Sequence, residues 1–371
     1  MAAARRAGYT KRVSGIGLRL FVVPWGWNIP MPSGAKAPDH LADAIGTLRL
    51  ASRAQWLETE AVPYSNPFAK PLLATAMAAL ATFIFTTTSA IAAAQAGELP
   101  NGQSPDGLVR AAVKNEIADS DDTSDRHMFR SRKQTAHGSQ TKLYVETEDA
   151  MAGMVIAYDD HPLTPQQRQG ELDHLDWLVR NPEQLRNKHA REKEDAERTL
   201  RMLRAIPDAF LFEYEGTETT PAGIGKAGDS LLRLKFRPNP NYSPPSRVEQ
   251  ALAGMQGYVL IDADQLRISK IDGTLVKEVS FGWGILGHLD PGGHFLVEQT
   301  ELPDGAWEIT RMILSFTGKI LLFKSLNYKS DEVFSDFRRV PADTRFAQGV
   351  EMLKAEEAKL AAANSAPDSK H

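Results

Sequence analysis

The chain has 371 residues, 42% of them apolar and 24% charged, the balance of a folded soluble protein with enough apolar side chains for a full core. It has no cysteine, which excludes disulfides, thiolate catalysis, cysteine zinc sites and a lipid-modified N-terminal cysteine. Residues 1–96 carry nine Lys and Arg against four Asp and Glu, leaving 34 against 43 in residues 97–371; an acidic body without a basic stripe lacks the counterion-releasing surface that nucleic-acid binding requires.

Residues 1–65 have no sustained hydrophobic period and read as a disordered leader, with Trp25-Gly26-Trp27 set among Pro24, Pro30, Pro32 and Pro38. Residues 66–96 form an export signal. Leu72–Ala96 is free of charge, follows Lys70, and ends in small residues that offer Ala92-Ala93-Ala94 or Ala94-Gln95-Ala96 to a signal peptidase. Its apolar centre, Leu72–Phe85, has the length of a signal-peptide core, while the whole run approaches the ~20 residues that span a bilayer. The expectation is a cleaved signal and a periplasmic product; if uncleaved, residues 72–96 anchor the chain in the inner membrane. An export signal belongs at an N-terminus, so translation is expected to start within Val62–Pro71. The alternative is a cytoplasmic tail whose Arg5, Arg6, Lys11 and Arg12 follow the positive-inside rule.

Residues 97–342 read as one α+β domain. Ser104–Ala118 predicts a helix with Ser104 as N-cap and Pro105 at its first position. The acidic run Asp119–Asp125 lacks the Gly turn and terminal Glu of a calcium loop and reads as solvated. His127–Thr135, Thr141–Glu148 and Met154–Tyr158 predict a strand meander. Thr164–Val179 and Glu183–Ala205 predict two charged helices broken at Asn181-Pro182. From Phe210 the pattern is β: Phe210–Tyr214, Ser230–Phe236, Gly257–Asp262, Gln265–Ile271, Leu275–Phe281, Phe295–Thr300, Trp307–Phe316, Lys319–Lys324 and Val333–Arg339, with Trp307, Ile309 and Ile313 expected on one face. These segments imply one large antiparallel sheet, curved into an incomplete β-barrel and covered by helices. Residues 343–371 read as a peripheral helix over Arg345–Ala363 and a polar tail.

The stretch Leu234–Ser246, LKFRPNPNYSPPS, then a helix-like Val248–Met255 and Gly257-Tyr-Val-Leu-Ile-Asp262, resembles the Pro-rich turn and following strand of the periplasmic lipoprotein-carrier superfamily, the group of LolA, LolB and RseB. The likeness spans residues 105–340, and the charged helix pair at 164–205 departs from a minimal carrier. The resemblance implies an envelope protein whose concave apolar face takes a lipid or lipoprotein acyl group without catalysis. A periplasmic sensor or scaffold that binds a partner protein through the same fold is the second reading, and an unrecognised hydrolase the third.

The search for chemistry is consistent with a binding protein and implies no cofactor. Gly223–Gly228 and Gly282–Gly287 both match G-x-G-x-x-G but lack the strand-to-helix setting a dinucleotide site needs. His288, His294 and Asp290 contain no H-x-x-x-H or H-E-x-x-H pair, so no metal site is expected. His174 and His189 read as parts of solvated helix faces. Phe281, Trp283, Phe295, Trp307, Phe316 and Phe323 form an aromatic set on the late strands, read either as core or as the lining of a ligand cavity.

Overall fold

A computed structural model describes Leu99 and residues 102–221, 223–281, 287–320 and 324–365, all within one compact unit. The segments expected to be a leader and an export signal, residues 1–65 and 66–96, lie outside the described residues.

Helix α1, Pro105–Asp121, starts as its sequence dictates: the Ser104 hydroxyl accepts the Gly107 N–H at 3.1 Å and Pro105 occupies the first turn. Its buried stripe is Leu108, Val109, Ala112, Val113 and Glu116. The meander β1 (Arg126–Thr135), β2 (Gly138–Val145), β3 (Ala152–Tyr158) and β4 (His161–Pro162) follows. Helix α2, Pro165–Arg180, is opened by a reciprocal capping box between Thr164 and Gln167. Asn181 separates it from α3, Pro182–Ala209, which begins on a proline that needs no N–H partner.

The second half is β5 (Phe210–Thr219), β6 (Ser230–Pro238), the helical turns Arg247–Gln250 and Ala251–Gly254, then β7 (Met255–Asp262), β8 (Ile268–Leu275), β9 (Val279–Phe281), β10 (Gly287–Leu289), β11 (His294–Glu301), β12 (Trp307–Ile320), β13 (Lys324–Val340) and α4 (Phe346–Ser365). Among the described residues the strands form one antiparallel sheet of 13, ordered β4-β3-β2-β1-β13-β12-β11-β8-β7-β6-β5, with β10 joining β9 to β12. The sheet is not closed. Its centre is set by a long-range pairing: β1 lies against β13, from Arg126 opposite Val340 to Thr135 opposite Ser330.

Several strand expectations change. Gln265–Ile271 and Leu275–Phe281 shift to Ile268–Leu275 and Val279–Phe281, because a turn occupies residues 263–265 and Leu275 ends β8. Lys319–Lys324 is not a strand of its own, because β12 continues to Ile320 and β13 begins at Lys324; Val333–Arg339 is only the second half of β13. The three-residue β10 has too little sequence to show a period. Finally, the register of β11 against β12 jumps from Glu298–Arg311 to Gln299–Ile309, leaving Thr310 as an extra residue. A bulge reverses which side chains face inward. Trp307 and Ile309 are therefore buried together with Met312, Leu314 and Phe316, while Ile313 turns to the opposite face beside Asp331.

Two cores result. The larger joins α1 and α3 to β5–β8, β11 and β12 through Leu108, Leu203, Leu234, Ile261, Leu275 and Leu314. The smaller joins α2 and α4 to β1–β3 through Met128, Val145, Met154, Leu175, Phe346 and Leu353. Helix α4 is thus part of the core, contrary to the expectation that it is peripheral: Phe346, Val350 and Leu353 recur at helical spacing and are almost wholly buried. No helix among the described residues is long and apolar enough to cross a membrane.

Candidate functional site

Residues opposite each other in an antiparallel pair share a face, so the face buried under α1 and α3 can be followed across the sheet. Phe295 lies opposite Leu314, which lies opposite Ser330; Phe316 is opposite Tyr328 and Gly318 opposite Leu326. On the far side Phe334 is opposite Ser131, and Phe129 opposite Tyr144. Along this path burial falls. Phe295, Leu326 and Phe334 are only half-buried yet pack against the large core, and Tyr328 is 37% exposed. Phe129 anchors an aromatic group, with ring centroids 5.4 Å from Tyr144, 6.1 Å from Phe334 and 5.4 Å from Phe337.

Polar groups border this strip. Glu332 accepts from Ser131 Oγ at 2.6 Å and pairs with Lys133 Nζ at 3.2 Å. Burial lowers the Lys142 ammonium below its usual range, although Glu171 and Glu332 oppose the shift. Burial also raises the Tyr144 hydroxyl strongly, with Glu332 and Glu192 adding to it. For Lys133 burial pulls downward, but Glu332 outweighs it and the net shift is upward.

Of the six aromatic candidates, Phe281, Phe295 and Phe316 belong to the one large cluster. Trp307 does not join them. It is 2% exposed, its indole N–H donates to Gln265 Oε1 at 2.9 Å, and the Arg267 guanidinium lies 5.3 Å over its ring, an arrangement that fixes packing. Trp283 and Phe323 lie outside the described residues.

A second constellation has no counterpart in the sequence motifs. His127, near the start of β1, has a ring 1% exposed. Its Nε2 lies 3.0 Å from Asp304 Oδ2 and its Nδ1 3.1 Å from Glu308 Oε1, while its backbone N–H donates to Glu146 Oε2 at 2.7 Å. Phe337 closes the ring edge-on at 6.3 Å. Burial alone disfavours the imidazolium, yet Glu308 and Asp304 outweigh it and raise the ring's affinity for a proton. Burial likewise raises Asp304, but contact with His127 holds its carboxyl below the usual range. These residues are drawn from β1, the residue after β2, the β11–β12 turn and the start of β12. Local spacing carries no trace of them.

The remaining motifs resolve locally. Gly225, at φ +65°, donates its N–H to the Gln299 carbonyl at 2.7 Å, in a loop that leads to strand β6 and not to a helix. Residues 282–286 of the second glycine motif lie outside the described residues. His288 and His294 contact different carboxylates, Asp290 at 3.3 Å and Asp272 at 3.0 Å. His174 stacks on Trp177 with centroids 6.1 Å apart, and His189 contacts the Asp149 carbonyl. In the acidic run, Asp122 accepts the Ser124 N–H at 2.8 Å and Asp125 pairs with Arg339.

No family model matches this chain, and no curated protein matches it. Among solved structures, a DUF1329 family protein from Desulfovibrio piger aligns with 64% of this chain and 94% of its own, at 12% identity and a TM-score of 0.24. That likeness is too distant to assign a family.

Proposed function

We propose that residues 97–342 form a half-barrel of the lipoprotein-carrier kind that holds a lipid or lipoprotein acyl chain on the inner face of its sheet, without chemical turnover, in the envelope of a diderm bacterium. One observation carries this reading: the apolar face that α1 and α3 cover at β5–β8 continues uncovered enough at β11–β13 and β1 to leave Phe295, Leu326, Phe334 and Phe129 half-buried. An aliphatic chain laid along such a strip gains roughly 0.8 kcal/mol per methylene removed from water, less the cost of ordering it. The export signal read in residues 72–96 supports an envelope location.

The test is expression of the full chain in a diderm bacterium, recovery of the product from the envelope fraction without detergent, and native mass spectrometry with lipid extraction. A stoichiometric lipid, lost in Phe295→Asp and Phe334→Asp, supports the carrier reading. A clean mass, with no lipid taken up from added envelope extract, favours the second reading, a scaffold that docks a partner protein. The exposed Trp177 and Val179 on α2, beside the charged α3, are what favour that second reading.

A further inference from the structure

We infer that His127 Nδ1, Glu308 and Glu146 form a site for a divalent transition-metal ion, with Asp304 orienting the imidazole. The three residues can present donor atoms that all lie within 4.8 Å of one another. The geometry around the ring decides the matter. Asp304 Oδ2, 3.0 Å from Nε2, can only accept when ionised, so Nε2 carries the proton. This is the outer-carboxylate arrangement that fixes the tautomer of a metal-ligating histidine and leaves the other nitrogen as a lone pair.

That other nitrogen points into the cluster. Nδ1 sits 3.1 Å from Glu308 Oε1 but makes no hydrogen bond of acceptable alignment, in a ring that is 1% exposed. With a neutral ring, the Nδ1 lone pair has no aligned donor in a region from which water is nearly excluded, and a buried lone pair of this kind is stabilised by a cation that it can ligate. A proton on Nδ1 would lie in the ring plane, out of line with Oε1. An ion need not. Two donors each about 2.1 Å from a metal and 3.1 Å apart subtend about 95° at it, within the range such ions adopt. One neutral imidazole and two carboxylates also balance a dication, and that donor set suits Zn²⁺ or a neighbouring first-row ion better than a thiolate-seeking one.

The location gives the ion a task. Strand β12 pairs with β13 only from Arg311 to Ile320, whereas β13 pairs with β1 up to Val340. Residues 307–310 therefore part from β13, and the sheet forks there. His127 on β1, Glu146 just after β2 and Glu308 on β12 lie at that fork, so one ion would tie its two sides together. His127 and Glu308 are 181 positions apart, so no motif of closely spaced ligands marks the site in the sequence.

The full chain, untagged and stripped with a chelator, is titrated with Zn²⁺ alone against a chromogenic competitor, and melted with and without EDTA. The proposal expects one Zn²⁺ per chain, a lower Tm in EDTA, an affinity reduced about 10–100-fold in Asp304→Asn and at least that far in Glu308→Gln. Glu146→Gln serves the same purpose if Glu308→Gln does not fold. The proposal is overturned if the wild-type protein takes up no Zn²⁺, if EDTA leaves its Tm unchanged, or if Zn²⁺ binds equally to wild type and the Gln variants; the cluster is then an imidazolium held between carboxylates.

Discussion

Glu116 on α1 and Arg267, just before β8, form a pair almost removed from water, with side chains 0% and 10% exposed. Arg267 donates from Nε and Nη2 to the two carboxylate oxygens, each at 3.0 Å, and Glu116 Oε1 also accepts the Ile268 N–H at 2.7 Å. Glu116→Ala therefore removes three hydrogen bonds at once, leaving the guanidinium with Asp119 at 3.1 Å and the face of Trp307. Breaking one side of a buried pair costs about 3–5 kcal/mol, because the surviving charge remains desolvated. Glu116→Leu combined with Arg267→Met removes both charges, and is expected to cost no more than about 2 kcal/mol, most of it from the orphaned Ile268 N–H. Urea denaturation followed by fluorescence and far-UV circular dichroism gives the free energies for the four corners of a double-mutant cycle. A loss below about 1 kcal/mol for Glu116→Ala, or a double variant as unstable as the summed singles, would refute the idea that a desolvated charge deprived of its main partner is what destabilises.

Two glycines should respond in opposite directions to the same assay. A methyl group at Gly257 would sit 1.9 Å from the Asp272 carbonyl oxygen, backbone that cannot swing aside, so Gly257→Ala should part β7 from β8 and cost about 3 kcal/mol or more; Gly170→Ala, in α2 with open space around it, should stabilise by roughly 0.5–1 kcal/mol. Tyr144 gives a pH dependence. Its hydroxyl is held protonated by burial, so above about pH 10 the unfolded chain releases a proton that the folded chain keeps. Stability is full below that pH and falls as pH rises, by up to about 1.4 kcal/mol per unit. Tyr144→Phe should flatten the decline of Tm between about pH 10 and 11, and equal slopes for variant and wild type would remove Tyr144 as its cause.

Much of the local structure was legible because its causes are local. Ser104 with Pro105, and Thr164 with Gln167, satisfy the first N–H groups of α1 and α2 from within four residues. Asn181-Pro182 divides the helix pair for an equally short-range reason. Alternation revealed most strands, and failed where it was broken. The extra residue at Thr310 put Ile313 on the wrong face, and the strand expected over Lys319–Lys324 ran across the end of β12 and the start of β13. The apolar stripe of α4, Phe346, Val350 and Leu353, is short within a segment rich in Ala, Glu and Lys, a composition that also suits a solvated helix.

The candidate sites divide in the same way. Phe281, Phe295 and Phe316 were found as an aromatic set because aromatic strand residues announce burial by type alone. That Trp307 is held apart by Gln265 and Arg267, and that Phe129 and Phe334 extend the strip, depends on which strands pair, and the pairing of β1 with β13 joins segments some two hundred residues apart. His127 is the extreme case: each of its carboxylate neighbours is an ordinary residue in sequence, and only the chain's return past β1 makes them one cluster. The sequence by itself determined composition, caps and the α+β class, since propensity and capping act within a turn or a strand. Sheet order, the bulge, the half-buried aromatic strip and the His127 cluster were decided by tertiary structure, because close packing and sheet pairing bring together side chains whose separation along the chain carries no local signal.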